Sequence, residues 1–479
     1  MEITAKKIEE WAPNADAAKN GRDLVAKNKF SNLQTDAGKS IIWGECAGSG
    51  KNPYYCSADF LEENNPVFRC NCPSRQFPCK HAIGLLYAFE KGQLFSTNEV
   101  PQDIVEKRNK IEKKQEKKVA EKETLKEKAD TPKKINKVAA IKKIETQLSG
   151  IETAKKILLN ITQNGLSFID SKEKRAIELQ LKELGNYYIP GIQTSFNNLM
   201  ELLDDVKNEE YTLVINEINF ISALLKKASE YLLARKENPD LAPEINSAIE
   251  EQIGTIWKLT DLIALRLYEE NAEIIQLSFN TYNNEARKEW VDEGAWLNLK
   301  TGKIYKTKNY RPYKAVKFIK EDNSISDVLQ LKELYIYPGE PNPRIRWEAA
   351  ERSDRPVTVN DISLIHSYAA TNYTDLVKGV KNIIKNPLTD KNPLMLLQLY
   401  KASLLGDLVV LEDLQGNKLT LDHMPGQSVS PLEVLKQLLP GNCTGLSMIA
   451  LANNNIQTGL FTAQPLSLIT GNKLIKLLY

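Results

Sequence analysis

Three thiols and one imidazole fall within 12 residues in the stretch Phe68-Arg-Cys70-Asn-Cys72-Pro-Ser-Arg-Gln-Phe-Pro-Cys79-Lys-His81. The whole chain has only six cysteines and three histidines, so four of these nine side chains share one short window. Three thiolates and a neutral imidazole make up a tetrahedral Cys3His zinc site. We therefore predict that Cys70, Cys72, Cys79 and His81 bind one zinc ion.

The spacing of these four side chains is compatible with a single ion. Residues i and i+2 of a strand face the same side, so Cys70 and Cys72 can converge. Two prolines then turn the chain, and Cys79 and His81 supply the second pair of ligands at the start of a helix. The helical spacing of apolar residues predicts that this helix covers His81–Lys91.

The Cys-x-Cys spacing departs from the commoner C-x2-C pattern, but Cys-x-Cys followed by Cys-x-His resembles the SWIM zinc finger. Residues Trp43–Tyr54 resemble the segment that precedes this finger in bacterial SWIM-containing proteins, and Trp296–Lys320 and Leu334–Trp347 resemble their C-terminal part. The resemblance implies a ββα zinc finger module. It also implies a role in DNA binding or protein interaction, without a catalytic role.

Four protein ligands leave no open coordination position for water, so the predicted zinc ion is structural. Three thiolates around Zn2+ leave a net charge of −1, and Arg69, Arg75 and Lys80 are expected either to neutralise it or to contact phosphate. Cys46 and Cys56 lie outside the ligand set, and their role stays open because no further cysteine or histidine nearby completes a second site. Cys443 is expected to be buried.

The chain has 479 residues, enough for two to four domains, and its 42% hydrophobic and 26% charged residues are typical of globular proteins. It lacks an apolar window long enough to span a membrane, and its first ten residues carry acids instead of the apolar core of a signal peptide. The clustering of cysteines is more typical of metal binding in a reducing compartment than of disulfides. We therefore expect a cytoplasmic protein without membrane association.

The predicted fold class is multidomain α+β. We expect a small ββα-type finger module, a Lys-rich linker, an all-α helical domain and a mixed α+β C-terminal region. In residue numbers these are 1–100, 101–136, 137–284 and 285–479. Helical periodicity extends to about Leu277, and a hairpin turn is predicted at Thr301-Gly302. Further helices are predicted around Leu376–Ile384, Leu394–Leu405 and Leu432–Leu439.

Two basic blocks stand out in a chain whose net charge is only +2. Residues 106–143 carry 14 Lys and one Arg against seven acids, which is typical of a solvated linker helix. Residues 294–320 carry seven Lys and one Arg without any acid, interleaved with tyrosines. Cations beside aromatic rings favour a single-strand-binding surface, with Lys303, Lys306, Lys308 and Arg311 as candidates. The alternative is a strand pair with a solvated lysine face.

Catalytic motifs are missing from the sequence. It contains no HExxH, GxSxG or dinucleotide fingerprint, and His366 and His423 are expected to be ordinary core or surface histidines. We therefore predict a non-enzymatic zinc protein whose finger mediates nucleic-acid (DNA) or protein interaction. The alternative is an adaptor or cochaperone. The family resemblance implies as its partners AAA+ ATPases of the MoxR type and von Willebrand A-domain proteins, beside which such proteins are often encoded.

Overall fold

The chain is mixed α+β and forms two compact units, Met1–Thr124 and Leu125–Tyr479. The computed structural model describes residues 3–48, 52–61, 66–74, 76–127, 136–166, 169–204, 211–316, 319, 321–339, 341–406, 408–423, 430–439, 442–455 and 459–478. Within these residues, no helix combines the length and apolar character needed to cross a membrane.

The first unit is built on a five-stranded sheet. Its elements are α1 (Ala5–Trp11), α2 (Ala15–Ala26), β1 (Phe30–Thr35), β2 (Ile41–Cys46), β3 (Tyr54–Asp59), β4 (Val67–Cys70), α3 (Lys80–Glu90), β5 (Ser96–Thr97) and the start of α4 (Gln102–Glu127). The strand order is β4-β3-β2-β1-β5, and all neighbours are antiparallel except β1 and β5. The elements β3, β4 and α3 follow one another in the ββα order that the resemblance implies.

Helix α3 is the central element of this unit. Its residues from His81 to Ala88 are all buried, and only its two terminal residues are exposed. Helix α2 crosses it at a pair of glycines, because a Cβ atom on Gly84 would lie 3.1 Å from the Gly21 carbonyl oxygen and 2.8 Å from Phe30 Cζ. The absence of side chains at this crossing therefore lets the two helices pack closely.

The predicted linker begins with a helix that belongs to the first unit. Ile104 of α4 is 1% exposed and packs against Ile41 and Trp43. The Arg108 guanidinium donates to both carboxylate oxygens of Asp59, at 2.7 and 3.1 Å. The compact unit thus continues past the predicted boundary at residue 100. Ile104 and Arg108 attach to it a helix whose sequence is otherwise typical of a solvated linker.

The second unit begins with a helical part, as predicted. Its core contains Ile151, Leu184, Phe196 and Leu224, all fully buried. The helices are α5 (Lys137–Asn164), α6 (Ser171–Glu183), α7 (Pro190–Asp204), α8 (Thr212–Glu237), α9 (Ile249–Ile253) and α10 (Leu259–Ala264).

A first sheet follows these helices. Its strands are β6 (Tyr268–Asn284), β7 (Glu289–Asn298), β8 (Ile304–Pro312), β9 (Val328–Ile336), β10 (Ile345–Arg346) and β11 (Arg352–Arg355). The order is β10-β9-β6-β7-β8, with β11 also paired to β9. The predicted hairpin at Thr301-Gly302 joins β7 to β8, and Gly302 has a φ of +71°. The helical prediction up to Leu277 was wrong beyond Ala264, because pairing of β6 with both β7 and β9 overrides its local pattern.

A second sheet and three helices complete the unit. They are α11 (Val359–Tyr368), α12 (Tyr373–Ile384), β12 (Leu394–Leu405), β13 (Leu408–Glu412), β14 (Lys418–Leu421), α13 (Pro431–Leu438), β15 (Asn442–Asn454), β16 (Phe461–Ile469) and β17 (Leu474–Lys476). The helix predicted at Leu394–Leu405 was wrong, since this segment is the strand β12 between β13 and β15. Its first half is buried on both faces, so it lacks the alternation that distinguishes a strand from a helix.

The two sheets of the second unit share a core. Leu277 and Leu297 of the first sheet pack with Leu396 and Ile449 of the second, and the Ser467 hydroxyl donates to the Leu277 carbonyl at 2.6 Å. The predicted helical (137–284) and C-terminal (285–479) domains therefore lie within one compact unit. Their independence as folding domains stays a prediction.

Candidate metal centre

The four predicted ligands come from two adjoining elements of the first unit. Cys70 is the last residue of β4, where it pairs with Cys56 of β3, and Cys72 lies two residues further on. Cys79 is the residue that caps the N-terminus of α3, and His81 lies in the first turn of that helix. The end of a strand and the start of a helix therefore supply two ligands each.

The ligand atoms converge as a metal site requires. All four lie within 4.8 Å of one another, and His81 Nδ1 is 3.9 Å from Cys70 Sγ and 3.8 Å from Cys79 Sγ. Zn–S bonds of about 2.3 Å and Zn–N bonds of about 2.0 Å put tetrahedral ligands roughly 3.5–3.8 Å apart. The donor set and its spacing fit one zinc ion, held by three thiolates and the Nδ1 atom of His81.

Two neighbours that the sequence did not single out position these ligands. Asn71, between Cys70 and Cys72, donates its backbone N–H to the Tyr55 carbonyl at 3.2 Å, and its side-chain oxygen accepts from the Tyr55 N–H at 2.9 Å. The ring of Tyr54 lies 4.8 Å from that of His81. Asn71 thus fixes the turn that follows β4, a role that only the pairing with β3 reveals.

The electrostatics of the cluster favour a thiolate at Cys79. A hydrogen bond from the Cys70 thiol lowers the pKa of Cys79, and the same bond raises the pKa of Cys70. The position of Cys79 at a helix N-terminus acts in the same direction. When bound, zinc supplies a cross-link between β4 and α3, and the protein supplies all four ligands.

The sequence of this site matches a known family. Residues 69–90 match the SWIM zinc finger. The match covers both ligand pairs and the whole of α3, so the SWIM finger is the β4–α3 part of the first unit. Among curated proteins and among solved structures, none matches the chain significantly.

The cations within the finger differ in their surroundings. Arg69 pairs with the buried Asp59 at 3.1 Å, and Arg108 donates to the same carboxylate, so one acid faces two guanidinium groups. The side chain of Lys80 is exposed, and Arg75 lies outside the described residues. That these cations neutralise the zinc cluster or contact phosphate stays a prediction.

The remaining cysteines are buried thiols. Cys46, Cys56 and Cys443 are each 0% exposed, so the burial expected for Cys443 is confirmed. Burial raises the pKa of Cys46 to about 11 and that of Cys56 well above its usual value. The Cys56 thiol donates to the Gly44 carbonyl at 3.5 Å. Cys46 and Cys56 therefore serve as small apolar side chains in the core behind the finger.

The four cations predicted to bind nucleic acid all lie on or next to β8, and each has an acidic partner. The pairs are Lys303–Glu269 at 3.5 Å, Lys306–Asp390 at 2.8 Å, Lys308–Glu293 at 3.3 Å and Arg311–Asp292 at 2.7 Å. Lys306 and Arg311 are each only 6% exposed. The block lacks acids in sequence, yet neighbouring strands and loops supply them. A role in nucleic-acid binding stays a prediction, and the pairing favours the alternative of a structural strand pair.

Asp292, the acidic partner of Arg311, accepts hydrogen bonds from several segments of the second unit. Its carboxylate is fully buried and accepts from Arg311, Thr281 and Asn309 side chains and from the Asp322 backbone N–H. The distances range from 2.7 to 3.1 Å. The fold thus satisfies this buried carboxylate with four hydrogen-bond donors, and Arg311 is one of its structural partners.

The other two histidines do not belong to a metal cluster within the described residues. His366 Nδ1 lies 2.7 Å from the Ser447 hydroxyl and Nε2 lies 3.1 Å from the Thr470 carbonyl. The acceptor at Nε2 implies that Nδ1 accepts the hydroxyl proton. Ser447 is 0% exposed, so this pair is a satisfied core contact, as predicted. His423 is partly exposed.

Proposed function

We propose that the protein is a non-enzymatic, zinc-stabilised binding protein whose SWIM finger docks other proteins. The observation that carries this proposal is the burial of α3. C2H2 zinc fingers place the helix of each ββα finger in the major groove of DNA, which requires an exposed helix face. Here every residue from His81 to Ala88 is buried against the sheet and α2. The helix of this finger therefore serves as a core element.

The loop between the ligand pairs is an exposed part of the finger. Phe77 is 55% exposed, and the neighbouring Asn71, Pro73, Ser74 and Gln76 are also exposed. Residues 1–100 carry 12 basic and 12 acidic side chains, so this part of the chain has no net attraction for phosphate. An exposed aromatic ring on a metal-fixed loop is suited to protein contact, because aromatic anchors dominate the energetics of such interfaces.

The first test measures binding to candidate partners. The zinc-loaded protein is titrated with a purified MoxR-type AAA+ ATPase and with a von Willebrand A-domain protein, using biolayer interferometry. We expect Phe77→Ser to weaken binding by about tenfold or more, as loss of an aromatic hot spot does. The matched control is Leu94→Ser, since Leu94 is 95% exposed in the same unit but lies outside the loop. If the Phe77→Ser variant bound as tightly as the wild type, the loop would have no docking role. If the wild-type protein bound neither candidate, these two partners would be ruled out.

Nucleic acid is the second candidate ligand, favoured by the cations of β8. Labelled single- and double-stranded DNA is titrated at low and near-physiological salt. Phosphate contacts would appear as binding that weakens steeply with salt. Replacing Lys303 and Lys308, the more exposed pair, by glutamine should then flatten that dependence. Absence of binding at low salt would remove this candidate and leave protein docking. A cytoplasmic location, predicted from the cysteine pattern, is part of both proposals.

A further inference from the structure

The second unit contains a cavity of about 990 Å3. The start of α7, the segment 248–257 and strands β8 and β10 surround it. Its volume is at the upper end of the roughly 300–1,000 Å3 that small-molecule sites occupy in proteins. The cavity involves none of the zinc ligands, and the proposed docking function of the finger does not use it.

The charges that line the cavity favour an anion. The cationic lining residues are Arg287, Lys308, Arg344 and Arg346, and the acidic ones are Glu251 and Asp322. Three of the cations already have carboxylate partners, at 3.1 to 3.3 Å. Arg346 is exposed, and its guanidinium has no ion-pair partner within the described part of the chain. A free guanidinium is suited to bidentate binding of a phosphate or carboxylate group.

Aromatic rings form the second feature of the lining. They belong to Trp257, Tyr310, Tyr337 and Trp347. Two of them already stack with arginines, because Arg344 lies 4.2 Å from the Tyr337 ring centre and Arg287 lies 5.3 Å from that of Tyr310. Planar groups alternating with guanidinium groups are the surfaces on which nucleobases stack.

One aromatic residue of the lining also has a buried polar atom. Trp257 is 8% exposed, and its indole N–H is closed to solvent and has no hydrogen-bond partner within the described residues. Trp257 therefore contributes its ring to the lining, and its N–H is out of reach of a ligand.

We propose that this cavity binds a nucleoside phosphate. Its phosphate pairs with Arg346, and its base stacks on the rings of the lining, including that of Tyr310. A planar ring and an anionic group in one ligand account together for the aromatic lining, the free guanidinium and the volume. The ligand is either a free nucleotide or one nucleotide of a single strand, which share this chemistry.

The test is a titration of the full-length zinc-loaded protein, followed by tryptophan fluorescence because Trp257 and Trp347 line the cavity, and by calorimetry. The probes are AMP, adenosine, inorganic phosphate and a short oligothymidylate. We expect AMP to bind more tightly than adenosine. Arg346→Gln should weaken AMP about tenfold, the loss of a charge-assisted contact, while leaving adenosine unchanged. Tyr310→Leu should weaken both AMP and adenosine, since it removes a stacking ring.

The matched control is Arg175→Gln, because Arg175 is an exposed arginine of α6 outside the cavity and should leave binding unchanged. Thermal unfolding of each variant identifies any that fails to fold. Binding of the oligonucleotide without AMP would identify a single strand as the source of the nucleotide, provided that Arg346→Gln weakens it. Absence of binding by every probe, or binding that both cavity variants leave unchanged, would overturn the proposal. These readouts do not involve Phe77, so this failure is distinguishable from failure of the docking function.

Discussion

The four ligands of the metal centre converge on one point, whereas the four cations of the β8 region pair with four different acids. Both sets are short in sequence and chemically conspicuous. The thiols and imidazole lie within 4.8 Å of one another, so that one metal ion can bind all four. The β8 cations are each matched at 2.7 to 3.5 Å by acids from other segments. A cluster of ligand atoms that the fold brings together requires a metal to satisfy it. A cluster of cations that the fold already pairs with acids is structural.

The strongest test of this comparison is removal of the metal. Treatment with EDTA should unfold residues 40–95, since the ion cross-links β4 to α3 and structural zinc contributes on the order of 10–16 kcal/mol in finger peptides. The second unit lacks a metal cluster among its described residues and should stay folded. Limited proteolysis with fragment mapping separates the two outcomes. Resistance of residues 40–95 without metal would show that the apolar core suffices.

A comparison of two cysteines distinguishes ligand from core residue. Cys72→Ser should reduce bound zinc well below one ion per chain and destabilise the first unit by several kcal/mol, about 3–5, since an incomplete site leaves the remaining thiolates unpaired. Cys56→Ser should retain one zinc and cost about 1 kcal/mol, because Cys56 is buried but outside the ligand set. Zinc content and thermal unfolding report both. Loss of zinc from the Cys56→Ser variant would place Cys56 among the ligands.

A comparison of two cations tests the structural reading of β8. Arg311→Gln should destabilise the second unit by about 3–5 kcal/mol, because it leaves the fully buried Asp292 without its charge partner. Lys303→Gln should cost less than about 1 kcal/mol, since the Lys303 side chain is 64% exposed and its pair is screened by water. Urea unfolding gives both values. If Arg311→Gln destabilised the unit as little as Lys303→Gln, Arg311 would not be needed by the fold and could serve an external ligand.

A comparison of two helical glycines tests how closely α2 and α3 pack. Gly84→Ala should destabilise the first unit by about 1–3 kcal/mol, because the new methyl group would overlap Phe30 and the Gly21 backbone. Gly379→Ala in α12 should stabilise the second unit by about 0.5–1 kcal/mol, since its Cβ would meet nothing within 4 Å and alanine favours a helix. Separate unfolding transitions of the two units provide the measurement. A neutral Gly84→Ala would show that α2 and α3 can separate without loss of the finger.

Local sequence predicted the elements whose signal is contained within a few residues. The ligand quartet, the hairpin at Thr301-Gly302 and the helical character of residues 137–237 were predicted correctly. Each depends on spacing that the backbone period fixes without reference to distant segments. The strand β12 was predicted as a helix because its apolar run, buried on both faces, carries no period.

The sequence by itself determined that this protein holds a zinc ion through Cys70, Cys72, Cys79 and His81. Those ligands lie within 12 residues, and a chain this short has few conformations that bring all four to one metal ion. Only the tertiary structure decided that α3 is a buried core helix, that Arg108 attaches the charged helix to Asp59, and that the β8 cations are internally paired. The partners in these contacts are up to 84 residues apart along the chain, as for Lys306 and Asp390. Such pairing depends on how sheets and helices pack against one another, so it cannot be predicted from local residue patterns.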